Sequence, residues 1–120
     1  MKFYFIRLNT KELCSTVAET MPAFLEGCHA LGQYETKSDC MEFIYNSTEA
    51  LCNTIDEIIE LGNYSRPKNM PSWNQYINKP NKTEEELLWL YCTQLETSKE
   101  LTEGMSEKEV AFLIDNINNR

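Results

Sequence analysis

Apolar positions along the chain recur mostly at steps of three and four. The clearest run covers residues 38–61. There Met41, Ile44, Thr48, Leu51, Ile55 and Ile58 form a stripe, widened by Tyr45, Cys52 and Ile59, with Asp39, Glu42, Glu49, Asp56, Glu57 and Glu60 mostly off it. That pattern predicts an amphipathic helix of about six turns packing one face into a core, stopped at Gly62. Thr83 followed by Glu86 reads as a capping box, and Leu87, Leu88, Tyr91 and Leu95 supply the buried face of a helix over 83–103. Ser106 followed by Glu109 starts another over 106–118, with Val110, Leu113, Ile114 and Ile117 as its stripe.

The first third reads less cleanly. Residues 2–8, KFYFIRL, are aromatic and β-branched and fit one strand. A lone strand needs a partner, either a segment near Trp73 to Ile77 or a second copy of the chain. After Asn9 and Thr10, Leu13, Val17, Met21, Phe24, Leu25, Cys28 and Leu31 keep helical spacing. Pro22 is at odds with a helix interior but fits a first turn capped by Thr20, and Gly32 is a natural stop. The expectation is two helices, 10–21 and 22–31, or one kinked helix. The whole then reads as mainly α: a single domain over 1–120, a compact bundle of four or five helices with room for one short N-terminal strand.

The chain has 120 residues, enough for one core without staples. Its net charge of −8 is uneven. Residues 1–60 hold four basic and ten acidic groups, residues 83–120 three and nine, and residues 61–82 four basic and none acidic. That middle stretch also carries three of the four prolines and the aromatics Tyr64, Trp73 and Tyr76. It reads as a long loop over 62–82, and long ordered loops are often functional. Two roles compete for it. Trp73, Tyr76 and Ile77 can fold back over the bundle as packing anchors, or Arg66, Trp73 and Tyr76 can act as binding hot spots.

Charge and missing motifs narrow the function. Binding bare nucleic acid requires clustered Lys and Arg, which an acidic chain lacks. No phosphate-cradling or nucleophile-elbow motif is present, and none of the four glycines cluster. The five cysteines, Cys14, Cys28, Cys40, Cys52 and Cys92, form no C-x-x-C pair, and an odd number points to reduced thiols. The opening MKFYFIRLNTKEL is interrupted by Arg7 and too short for a signal-peptide core, so the expected location is the cytoplasm. No apolar run nears the roughly 20 residues of a membrane span. Three Asn-x-Ser/Thr matches, at Asn46, Asn63 and Asn81, read as chance in an Asn-rich chain.

Two chemical arrangements remain. His29, the only histidine, neighbours Cys28, but on a helix adjacent side chains diverge by about 100°. Glu26 and His29 form one Glu-x-x-His, whereas a di-iron bundle needs two such motifs and two further Glu residues. Neither makes a site alone, so no cofactor or metal is expected. The leading expectation is a non-enzymatic acidic protein that occupies or neutralises a basic protein partner such as a nucleic-acid-processing enzyme. Immunity proteins of bacterial toxins and phage inhibitors of nucleases work this way, because an acidic surface is steered to a basic cleft. Its contacts would be Asp56, Glu57 and Glu60, and Glu84, Glu85 and Glu86, with Arg66, Trp73 and Tyr76 as anchors. The alternatives are an assembly subunit that homodimerises through its amphipathic helices, and a thiol enzyme using Cys28 or another cysteine with His29.

Overall fold

The computed structural model describes residues 1–62, 73–103 and 106–118. It contains three strands, β1 (Lys2–Arg7), β2 (Glu12–Val17) and β3 (Cys28–Tyr34). Four helices follow, α1 (Lys37–Gly62), α2 (Trp73–Ile77), α3 (Glu84–Thr102) and α4 (Glu107–Asn118). The strands form one antiparallel sheet in the order β2-β1-β3. The fold is therefore α+β, not a bundle of four or five helices. The helices expected over 10–21 and 22–31 are β2, a single 3-10 turn at Ala23–Leu25, and β3. The N-terminal strand exists, but its partners are β2 and β3 rather than residues 73–77.

The run Phe3-Tyr4-Phe5-Ile6 explains the sheet's centre. All four side chains are buried, as in a strand covered on both faces. Tyr4 and Ile6 join the main core with Leu31 of β3, Cys40 and Ile44 of α1, and Leu87, Leu90 and Tyr91 of α3. Phe3 and Phe5 alternate to the opposite face. There Phe24 of the 3-10 turn meets Phe5 edge-on at 5.9 Å. The connection from β2 to β3 must pass from one edge of the sheet to the other, and that contact shows it crossing the outer face.

Backbone geometry punctuates this region. The β1–β2 turn closes with the Lys11 amide donating to the Arg7 carbonyl at 2.7 Å, and Lys11 takes a φ of 57°. Gly27, at φ 80°, precedes β3. Gly32, at φ 113°, lies opposite Tyr4 beside a register shift in the β1–β3 ladder. That conformation is open to glycine and strained for other residues. Gly32→Ala is expected to lower stability by about 1–3 kcal/mol, read by chemical denaturation.

The helices beyond residue 37 follow their stripes. α1 begins with the Asp39 amide donating to Thr36 Oγ1 at 3.2 Å. It buries Cys40, Ile44, Thr48, Cys52, Ile55 and Ile58. The Thr48 hydroxyl, buried on this face, donates back to the Ile44 carbonyl at 2.6 Å, which removes its need for water. In α3, Thr83 Oγ1 accepts from the Glu86 amide at 3.2 Å, and at α4 Ser106 Oγ accepts from the Glu109 amide at 3.2 Å. Both capping residues thus hold the amide three positions on. The α4 stripe of Val110, Leu113, Ile114 and Ile117 lies outside the described side chains.

α1 and α3 start at the same end. Lys37 in the first turn of α1 pairs with Glu84 in the first turn of α3 at 2.8 Å. A chain leaving α1 at residue 62 must therefore return along a helix about 39 Å long before starting α3. That return accounts for the long 62–82 connection in a domain whose connections are otherwise short. Its last part is ordered as α2 rather than loop. No helix of the described residues is long and apolar enough to cross a membrane.

Candidate functional site

Charge is segregated by layer. Residues 1–36 hold three basic and four acidic groups, whereas residues 37–120 hold eight and fifteen. Nearly the whole excess belongs to the helical part. Within it, the expected carboxylates fall into two groups at opposite ends of α1. Asp56, Glu57 and Glu60 sit in its C-terminal part, with Asp56 and Glu60 exposed and Glu57 half-buried. The last turn of α1 carries no basic residue, so the negative end of the helix dipole and these carboxylates add. Glu100 and Glu103 are likewise exposed at the end of α3, and Glu107 and Glu109 at the start of α4.

Glu84, Glu85 and Glu86 occupy the first turn of α3, where the dipole favours acid. Glu84 pairs with Lys37 at 2.8 Å and Glu86 with Lys79 at 2.9 Å. These exposed pairs contribute little to stability, but they partly neutralise that end. The two expected acidic groups are thus not one patch. Tyr45, which lines a groove with Glu84, is eleven positions before Asp56 on α1, about 17 Å along the helix axis.

An aromatic groove lies beside the α3 start. It has a volume of 390 Å³ and is lined by Met41, Glu42 and Tyr45 of α1, Tyr76 of α2, and Lys82 and Leu87. Tyr45 meets Trp73 at 5.0 Å and 67°, and Trp73 meets Tyr76 at 5.4 Å and 37°. Tyr76 is buried in the core and Trp73 is half-buried against it, so both act as packing anchors. Tyr45 is the most exposed ring of the three, at 39%. The spacing predicts that Tyr45 widens the core stripe; at the stripe's edge it packs on Trp73 instead of entering the core. Arg66 lies outside the described residues.

The titratable interior offers structure rather than a nucleophile. His29 Nε2 and the Tyr91 hydroxyl share a hydrogen bond of 2.8 Å between β3 and α3. Burial pushes Tyr91 up to about 12 and lowers His29 below its ordinary value. Burial also pushes the Cys40 thiol up to about 11 and raises Cys92. Both thiols are therefore protonated near neutrality and weak as nucleophiles. Cys28 and His29 are successive residues of a strand, so their side chains leave opposite faces of the sheet. Glu26 ends the 3-10 turn while His29 is in β3, so Glu-x-x-His does not share a helix face. Among the described residues no group of three or more His, Cys, Asp or Glu side chains is placed to hold a metal ion.

The lowered His29 value has a pH consequence. The fold favours neutral imidazole, so this contribution is complete above the unfolded value near 6.5 and is lost as pH falls through the lower folded value. The melting temperature is expected to drop as pH falls below about 6.5, and to drop less in His29→Gln, as measured by circular dichroism.

A scan against protein-family models, a search of curated proteins and a search of solved structures each found no match.

Proposed function

We propose that this chain is a small acidic binding protein that occupies or neutralises a basic protein partner without catalysis. Immunity proteins and phage inhibitors of nucleases are the functional type. One observation carries the reading: the negative excess is concentrated in the helical part, and α1 ends in Asp56, Glu57 and Glu60 with no basic residue in its last turn. At Glu60, in the last turn, acid opposes the dipole, so the helix itself does not account for it. A cationic surface would be steered to that end and held there. All five cysteines are free, which suits the reducing cytoplasm as the place of action.

The test is capture from source-cell lysate by the tagged chain, with washes at low and high salt. The expected result is a stoichiometric partner of basic isoelectric point, retained at low salt and released at high salt. A partner that is acidic, or one retained equally at both salts, would overturn the reading.

A further inference from the structure

We infer that two copies of this chain pair through the outer edge of β2, antiparallel about a two-fold axis, to make one six-stranded sheet. The sheet order leaves β2 and β3 as edges. Edge strands are normally guarded by Lys, Pro, a bulge or a covering element, because their unpaired amides and carbonyls template another strand. β3 is guarded: its ladder shifts register opposite Tyr4 and Phe5, Gly32 adopts φ 113°, and α1 packs on it. β2 is not. Its sequence, ELCSTV, holds no Lys and no Pro, and its six pairs with β1 run unbroken from Lys2↔Val17 to Arg7↔Glu12.

Two further observations select a second copy as the occupant. First, the charge permits it. The sheet part, residues 1–36, is close to neutral, whereas apposing two helical parts would bring together most of both −8 charges. An antiparallel edge is also complementary to itself under a two-fold, the usual form of a homodimer. With Cys14 or Ser15 on the two-fold axis, Glu12 lies opposite Thr16 or Ala18 of the other copy, so no like charges meet. Second, large apolar side chains lie open along this border. Met1 is 65% exposed and Val17 75%. They are the residue before β1 and the last residue of β2, brought together by the Lys2↔Val17 pairing. A short edge with this border gives a modest interface, so dimerisation is expected to depend on concentration. The dimer leaves the acidic helices outward, so this inference does not rest on the partner reading.

The experiment is sedimentation of the full chain from about 1 to 200 µM, joined to hydrogen exchange at both ends of that range. The expected result is a monomer–dimer equilibrium in which protection of residues 12–17 rises with concentration. Val17→Lys and Ser15→Lys, both at exposed positions, are expected to keep the melting temperature and to weaken dimerisation by about tenfold or more. Reversing Asp56, Glu57 and Glu60 is expected to leave the dimer intact. A chain that stays monomeric at the highest concentration would overturn the inference. So would a dimer whose added protection lies in α1 or α3, or β2 protection that appears only when a different protein is added.

Discussion

Ile6→Ala is expected to destabilise the protein by about 3–4 kcal/mol and to lower its melting temperature by roughly 12–16 °C. Ile6 is fully buried. It sits on the central strand, paired with Leu13 on one side and His29 on the other, and shares the core with Cys40, Ile44, Leu90 and Tyr91. Truncation removes apolar contact from both neighbouring strands and from the helical layer together, and a cavity held by a sheet and two helices cannot collapse easily. The control is Val17→Ala on β2, where 75% exposure predicts a change within about 0.5 kcal/mol. Thermal unfolding followed by circular dichroism reads both. Equal effects at the two positions would contradict a central β1 packed on both faces.

The second large effect is on binding. Asp56→Lys, Glu57→Lys and Glu60→Lys together are expected to weaken the basic partner by about 10–100-fold, from roughly 0.5–1 kcal/mol per reversed charge. Asp56 and Glu57 also have interactions within the chain, so the melting temperature of the triple variant is read beside its affinity. Glu60 lies in the last turn of α1, where a cation is favoured by the helix dipole by about 0.3–1 kcal/mol. Loss of binding with stability retained separates a contact surface from a structural one. The same reversal at Glu84, Glu85 and Glu86 would break the pairs with Lys37 and Lys79 and place cations at a helix N-terminus. A loss there would mix both causes.

Much of the helical layer was legible in the sequence, because its signals are local. Thr83 with Glu86 and Ser106 with Glu109 each concern one turn, and the α1 stripe repeats over six. The sheet was not, and the reason lies in particular spacings. Leu13 and Val17 are four apart, a separation that returns to the same face of a helix and also of a strand. Phe24 and Cys28 are likewise four apart, yet one lies in a 3-10 turn and the other in β3. Pro22, Gly27 and Gly32 carried the better information, since three such breakers within eleven residues suit turns and a bulge more than helices. Phe3-Tyr4-Phe5-Ile6 was a further signal: an unbroken apolar run marks a strand covered on both faces and so calls for two neighbours. Pairing itself is non-local and leaves no mark at either partner.

The same contrast holds at the candidate site. Trp73 and Tyr76 were legible as large anchors in a basic stretch, and their mutual packing follows from closeness in sequence. Tyr45 joins them from α1, and His29 reaches Tyr91 across 62 residues. The return of the chain to the start of α1 sets both meetings. That return also parts Glu84, Glu85 and Glu86 from Asp56, Glu57 and Glu60, which composition alone had merged into one acidic surface.

The most direct test of the central claim is the affinity of the captured partner measured against ionic strength. The account predicts that affinity for the wild-type chain falls by about tenfold or more between roughly 50 and 500 mM salt, and that the α1 triple variant shows a weaker dependence. An affinity independent of salt, or one identical in the wild type and the triple variant, would contradict it.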